Sequence, residues 1–303
     1  MNILFIGLPL FAEKLKNDLN KFSPQHSFSF CNTYYSKWHS LKFLAALPYA
    51  DLIISINGAY SQSRALDFAI KMKKKILMHW QGTDALLATE AYKKNILYRK
   101  YIDSSIHYTD APWIQSELKN IGINCSRLEY KWVETIPTTH TFHKISAHTY
   151  IPQGKASIYG LDNVVQLAEK HFDIDFFVAG TKGKNIVQRK NIHFLGWISE
   201  DEMNRLRLTH PIHLRILQHD GYSLSVMKAL ACGNEVIWTM PHKQCTFISS
   251  TTEIETAFNY CVNILKNRGL AANTENILFA KEHLSKEKIL TTFLKTVENL
   301  VKK

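Results

Sequence analysis

The chain has 303 residues, enough for two domains of ordinary size that each bury an apolar core. Its apolar share of 46% and charged share of 21% are close to globular averages, and it lacks the Pro/Gly/Ser-rich tracts that would indicate disorder. The net charge of +11 lies mainly in residues 1–145, where 18 Lys and Arg face 11 Asp and Glu. This excess fits either a peripheral contact with an anionic membrane or phosphate-bearing acceptor, or an ordinary solvated surface.

Short β-branched or aromatic runs alternate with longer amphipathic segments, a pattern typical of βαβ units and parallel sheets. The predicted strands are 2–6, 27–31, 51–56, 75–79, 105–108 and 125–130, then 148–151, 175–179, 192–194, 212–217 and 235–238. Residues 134–146 lack periodicity and predict an interdomain linker. We therefore predict an α/β protein with two Rossmann-like, doubly wound domains, residues 1–140 and 147–303, that face a ligand cleft.

The five cysteines are scattered and are not spaced as CxxC pairs, which predicts reduced thiols in a cytoplasmic protein. No run approaches the roughly 20 uncharged residues that span a bilayer, so the sequence predicts no integral membrane segment. The sequence remains compatible with peripheral contact of the protein with the inner face of the membrane.

The most informative stretch, residues 214–233, contains a strand, an Asp-Gly turn and a helix. Gly221 lets backbone amides come close to a ligand, and the helix from Ser223 offers unpaired N–H groups at the positive end of its dipole. The pattern predicts a donor diphosphate site that includes Gly221, Tyr222, Ser223, Leu224 and Ser225.

This stretch resembles the signature of the large retaining glycosyltransferase family with the GT-B fold, which includes sucrose, glycogen and bacterial mannosyl transferases. The signature is Glu-Gly, a helix whose second Glu is separated from the first by seven residues, then Ala-Gly or Cys-Gly and Pro-Val-Ile. Asp220 and Gly221 stand at its first position, and residues 229–233 and 236–237 match its end. Lys228 replaces the second acid, which holds the nucleotide ribose in the family. Lys228 either contacts a donor phosphate or points to solvent.

Other segments extend the resemblance in the same order and spacing. Residues 177–180, 192–203 and 110–123 are similar to the family's strand ending in Gly, its Leu-Gly-Trp-Val segment and its last helix before the interdomain crossing. His79 ends a predicted strand where relatives carry a cleft histidine, and it is equally well explained as a structural residue. The resemblance places sugar or acceptor contacts at Gly82, Thr83 and Asp84.

Relatives carry Arg and Lys on the loop that opens the second domain, where they hold the donor phosphates. In this chain that loop is residues 151–160, and Tyr159 stands where a Lys is expected. Lys155 and Arg215 are therefore the candidate phosphate ligands. Asp220 is expected to hold sugar hydroxyls, so that Asp220, His79 and Arg215 form the predicted catalytic set.

The resemblance implies transfer of a hexosyl group from a nucleotide-sugar substrate to a glycan, a lipid-linked molecule or another acceptor, with retention and without metal or cofactor. The sequence has no Walker-type loop or GxGxxG fingerprint, which argues against an ATPase or dehydrogenase, and it has no motif for nucleic acid. Asp173 and Asp175 form an Asp-x-Asp that a turn explains better than a metal site. The alternatives are a nucleotide-sugar epimerase on the same fold and a catalytically silent sugar-nucleotide-binding protein.

Overall fold

The computed structural model of the chain describes residues 1–33, 36–134, 136–183 and 189–302. Its contacts divide the chain into two compact units, unit 1 with Met1–Tyr130 and Glu287–Lys303, and unit 2 with Lys131–Lys286. Each unit contains a six-stranded parallel sheet with helices in the connections between strands. The predicted α/β class with two Rossmann-like sheets is confirmed.

Unit 1 has its strands in the spatial order β2-β1-β3-β4-β5-β6. The strands are β1 Asn2–Gly7, β2 Ser27–Phe30, β3 Leu52–Ile56, β4 Lys75–Trp80, β5 Ile106–Thr109 and β6 Cys125–Arg127. The helices are α1 Pro9–Phe22, α2 Lys37–Ala46, α3 Arg64–Lys71, α4 Thr83–Lys93, α5 Arg99–Asp103 and α6 Pro112–Asn120.

The core of unit 1 explains why its strands read as continuous apolar runs. All five residues of β3 are buried. A parallel sheet covered on both faces requires apolar side chains on both sides of each strand. On one face, Leu4 and Ile53 share a buried cluster with Phe43 of α2 and Leu66 of α3.

The sequence predicted a second domain that runs to residue 303 and so includes the C-terminal helix α12, Lys286–Lys302. Its residues from Glu287 onward belong to unit 1. The physical reason is a buried apolar stripe, in which Phe293 stacks on Phe5 of β1 with ring centroids 6.4 Å apart. Lys75 Nζ also donates to the Leu300 carbonyl over 3.2 Å.

Unit 2 has its strands in the order β12-β11-β10-β7-β8-β9. The strands are β7 Ser146–Tyr150, β8 Asp175–Ala179, β9 Ile192–Gly196, β10 Ile212–Arg215, β11 Glu235–Trp238 and β12 Thr246–Phe247. The helices are α7 Leu161–Lys170, α8 Glu200–Thr209, α9 Leu224–Ala231, α10 Ile254–Asn267 and α11 Thr274–His283. The sequence predicted every strand except the two-residue β12.

The predicted linker, residues 134–146, is part of unit 2 in the structure, apart from Thr135, which lies outside the described residues. Phe142 is buried against Ala272 and Ile277. Thr141 pairs with Ala271 in an isolated antiparallel bridge. The crossing into unit 2 therefore falls between Tyr130 and Lys131, earlier than the predicted end of the first domain at residue 140.

No helix in the described part of the chain is long and apolar enough to cross a membrane. All five cysteines are free, and four of them are buried.

Candidate functional site

The carboxyl ends of β7 and β10 meet at one edge of the unit 2 sheet, and a glycine lets their loops approach. Gly160 has a φ of +65°, and a Cβ there would lie 2.6 Å from the Ile216 carbonyl oxygen. Only glycine fits this backbone approach. The contact brings the loop 151–160 to Arg215, whose guanidinium carbon lies 5.0 Å from the centre of the Tyr159 ring.

Arg215 and Asp220, which the sequence assigned to different parts of the donor, bind each other. Arg215 Nε donates to Asp220 Oδ2 over 2.8 Å, and Nη2 donates to Oδ1 over 3.1 Å. The Trp238 indole donates to the same Oδ2 over 3.3 Å. Burial alone would lower the pKa of Arg215, but the attraction of Asp220 outweighs it and the pKa lies above its ordinary value.

This pair fixes both side chains in an almost buried position, with exposed side-chain fractions of 11% and 12%. A guanidinium has five N–H groups, so donors remain on Arg215 after the two bonds to Asp220. The pair can thus offer N–H groups to an anion while its own charge is compensated. Trp238 and the pairing itself were missed by sequence reasoning, since neither spacing nor composition signals them.

Helix α9 begins directly after this pair, and its first turn has an open end. Ser223 is the N-cap, yet its side chain makes no capping hydrogen bond. Its hydroxyl oxygen is buried and has no hydrogen-bond partner among the described residues. The N–H groups in the first turn of any α-helix have no partner within the helix, and together they form the positive end of the helix dipole. Such an end attracts an anion.

The neighbours of this turn are held by the rest of unit 2. Lys131 Nζ donates to the Tyr222 carbonyl over 3.0 Å, and Ser225 Oγ lies 3.0 Å from His213 Nε2 on β10. Ser225 is therefore turned toward the sheet. Lys155, in contrast, is exposed on the loop 151–160, and its ammonium has no ion-pair partner among the described residues.

Lys228 is paired with a carboxylate that the sequence did not indicate. Its ammonium lies 2.8 Å from Glu200 Oε1 at the start of α8, and Arg207 Nη1 lies 2.7 Å from the same oxygen. Burial would raise the pKa of Glu200, but the bonds from Lys228 and Arg207 outweigh it and the pKa is lowered. The contact of Lys228 with a donor phosphate stays a prediction.

His79 in unit 1 is fully buried and hydrogen-bonded on both ring nitrogens. Its Nε2 lies 2.6 Å from the Leu128 carbonyl oxygen, and its Nδ1 lies 2.7 Å from Gln81 Nε2. The Tyr130 ring also packs edge-on against the imidazole at 4.6 Å. These contacts favour the structural explanation of His79 over the catalytic one.

Asp84 is likewise buried, and its carboxylate accepts backbone amides. Gln81, Gly82 and Ala85 donate to it over 2.8 to 3.1 Å, and Gly58 donates a further amide. Burial raises the pKa of Asp84, against the effect of these four amides. The carboxylate thus anchors the turn, which argues against the predicted sugar contact. Thr83 is exposed at the first position of α4, while Gly82 is buried.

Within the described residues, no group of three or more His, Cys, Asp or Glu is placed to hold a metal ion. Asp175 of the Asp-x-Asp pair accepts from Lys144 and His193, which accounts for it as a surface ion pair.

Comparison with known proteins finds similarity at the level of structure. No protein-family model and no curated protein sequence matches the chain. A glycosyltransferase from Rickettsia africae superposes with a TM-score of 0.73 at 12% identity, over 100% of this chain and 99% of that one. The pneumococcal O-GlcNAc transferase GtfA, in complex with UDP and GlcNAc, gives 0.63 at 13% identity over 88% of this chain. This chain spans 60% of the GtfA chain.

A third similar structure is a Listeria monocytogenes protein named as a UDP-N-acetylglucosamine 2-epimerase, with a TM-score of 0.56 at 9% identity. The match covers 98% of this chain and 95% of that one. With two parallel six-stranded sheets and these neighbours, the chain has the GT-B fold.

Proposed function

We propose that this protein is a glycosyltransferase that moves a sugar from a nucleotide-sugar donor to an acceptor. The main observation in support is the open start of α9, which follows the Arg215–Asp220 pair at the carboxyl edge of the unit 2 sheet. In open parallel sheets this edge is where ligands bind. The GT-B fold supports the proposal because its structural neighbours include glycosyltransferases.

The donor diphosphate binds at the first turn of α9, with Gly221 and Ser223 closest. Its negative charge is met by the helix amides, by the exposed Lys155 and by the N–H groups of Arg215 that Asp220 does not use. The unpartnered Ser223 hydroxyl supports this placement, since a buried polar group without a partner is costly unless a ligand supplies one.

Asp220 holds hydroxyls of the donor sugar, and Arg215 orients Asp220 for that contact. As the nucleoside diphosphate departs from an oxocarbenium-like centre, the helix dipole and the two cations stabilise the developing negative charge. The reaction needs no metal in this scheme, and the transferred group is a hexose with its anomeric configuration retained. The acceptor, a glycan or lipid-linked molecule, contacts unit 1.

The test is calorimetric titration with UDP, ADP and GDP, followed by analysis of products from the matching nucleotide sugars. We expect one nucleoside diphosphate to bind, and Ser223→Trp, which fills the start of α9, to abolish that binding. Thr256→Trp, an exposed substitution on α10 of the same unit, is the matched control for bulk. Unchanged nucleotide affinity in Ser223→Trp would remove this site from consideration.

An epimerase is the second candidate, since one structural neighbour is named as such on the same fold. The two reactions differ in their need for an acceptor. An epimerase converts the nucleotide sugar when no acceptor is added, whereas a transferase requires one, and a silent binding protein does neither.

A further inference from the structure

Unit 1 contains a groove of about 760 Å³ between α2 and α3. It begins where β2 and β3 end, at the carboxyl edge of the sheet. Its lining residues include Ser36, Phe43, Leu44, Ser63, Arg64 and Phe68. The volume lies in the range of about 300 to 1,000 Å³ that small-molecule sites have.

The groove is lined by both apolar and polar side chains. Phe43 forms part of the buried core, and Leu44 and Phe68 have exposed fractions of 38% and 45%. Ser36 and Ser63 cap the two helices, and their oxygens accept the amides of the third helical positions. Since each oxygen acts as an acceptor there, each hydroxyl hydrogen can be donated to a ligand.

The charge at the groove is positive. No Asp or Glu is among its lining residues, and Arg64 is exposed without an ion-pair partner in the described parts of the chain. The nearest acid in α3, Asp67, is paired with Lys100 over 2.5 Å. Residues 36–75 contain seven Lys and Arg against two Asp, a net charge of +5. A negative group is therefore the complementary one.

Helix α2 carries large apolar side chains on its exposed side beside Lys42. Its inner Phe43 is buried, while Trp38 and Leu41 are 64% and 59% exposed on the surface of unit 1. The exposed side chains beside the groove thus favour a ligand with its own apolar portion.

We propose that this groove binds a phosphate-bearing amphiphile, with its apolar chain between Phe43, Leu44 and Phe68 and its phosphate at Arg64 and the Ser36 and Ser63 hydroxyls. This inference deepens the proposed function because it names a lipid-linked phosphate as the acceptor class. The role of the groove as the acceptor site rests on the proposed function. The ligand chemistry itself follows from the groove alone.

The experiment is calorimetry with octyl, decyl and dodecyl phosphate, each below its micelle concentration. Every methylene that enters the groove strengthens binding about fourfold, so two added carbons are expected to give about a sixteenfold gain. Dodecyl maltoside, which has the chain without the phosphate, and inorganic phosphate, which lacks the chain, are expected to bind at least about tenfold more weakly than dodecyl phosphate.

Variants of two groove residues, each with a control variant outside the groove, test where the ligand binds. Phe68→Gln and Arg64→Gln are expected to weaken dodecyl phosphate about tenfold each. Phe22→Gln at the end of α1, a residue 39% exposed, and Lys93→Gln at the end of α4 are the controls and keep the parent affinity. Equal affinity in Phe68→Gln and Phe22→Gln, no dependence on chain length, or dodecyl maltoside binding as tightly as dodecyl phosphate would each overturn the proposal.

Nucleotide binding separates this proposal from the proposed function. Phe68→Gln is expected to bind UDP, ADP or GDP as the parent does. If the parent binds no nucleotide yet binds alkyl phosphates in the groove, the transferase proposal fails and the groove proposal stands. If nucleotide binds and no alkyl phosphate does, the groove proposal alone fails.

Discussion

Two turns from strand to helix hold the predicted site residues, and they differ in how they use their polar groups. In unit 1, between β4 and α4, Asp84 accepts amides from its own turn and from the first turn of α4. In unit 2, between β10 and α9, the N-cap Ser223 makes no capping bond. The acid of that turn, Asp220, is bound to Arg215 and not to the helix.

The difference shows how to distinguish a structural turn from a ligand site on the same topology. At the start of α4 a buried carboxylate already stands where an anion would bind, because Asp84 accepts the amides of Gly82 and Ala85. A helix start whose amides stay open, beside an arginine held by a second residue, can bind an anion without rearranging. By this criterion we place the proposed anion site at the turn before α9 and assign a structural role to the turn before α4.

The largest expected effect is that of Arg215→Ala. It leaves the Asp220 carboxylate almost buried without its cation, which is expected to cost about 3 kcal/mol of unfolding free energy. Nucleoside diphosphate affinity should also fall at least about tenfold. Urea unfolding and calorimetry measure the two effects separately.

The double variant Arg215→Ala with Asp220→Ala is the control for stability. Removing both charges is expected to recover most of the lost stability, because no unpaired charge remains, while the nucleotide affinity stays low. Recovery of nucleotide affinity along with stability would mean that Arg215 acts only on Asp220.

Acid is expected to weaken unit 2 by a similar amount through the buried pair His148 and His213. These residues are neighbours on β7 and β10 with rings 4.8 Å apart, and burial holds the pKa of both well below the ordinary value of 6.5. The unfolded chain takes up these protons near pH 6.5 and the folded chain does not. Stability is therefore full above pH 6.5 and falls below it, by about 1.4 kcal/mol per pH unit for each histidine.

Urea unfolding at pH 7.5 and 5.5 measures this loss, which we expect to be about 3 kcal/mol for the two histidines together. His148→Gln should reduce the loss by about 1.4 kcal/mol, and His283→Gln, at an exposed position, should leave it unchanged. Amide exchange should rise in β7 and β10 before it rises in β1 and β3. An unchanged slope in His148→Gln would contradict this assignment.

A smaller effect, about 2 kcal/mol, is expected for Asp84→Asn, which presents an amide group to backbone donors. Nucleotide affinity should not change. Asp220→Asn is the companion variant in the open turn, and it should lower the rate of sugar transfer more than it lowers affinity for the bare nucleotide. Loss of nucleotide affinity in Asp220→Asn, with the rate at saturation kept, would contradict the assignment of Asp220 to the sugar.

The strands were predictable from sequence because parallel strands buried on both faces are short apolar runs, as in β3. The position of α12 was not, since its stripe with Phe293 shows that one face is buried but not which sheet covers it. The open turn at α9 was predictable from Gly221 and the helix that follows. The Arg215–Asp220 pair was not, because it depends on how the loop between them folds, and the burial of His79 depends on residues as distant as Tyr130.

The smallest expected effect belongs to Lys228, and it tests whether the open turn extends beyond its first residues. The Glu200 carboxyl that Lys228 contacts is half-exposed, so Lys228→Gln should lower stability by less than about 1 kcal/mol. One of its three N–H donors meets Glu200, which leaves donors for a phosphate. If it contacts one, Lys228→Gln should weaken nucleoside diphosphate about fivefold, and the salt dependence of binding should become shallower. Lys266→Gln on α10, exposed in the same unit, is the control for the lost charge. If Lys228→Gln and Lys266→Gln bind nucleoside diphosphate equally well at low and at physiological salt, Lys228 contacts Glu200 but no phosphate. The anion site is then confined to the first turn of α9.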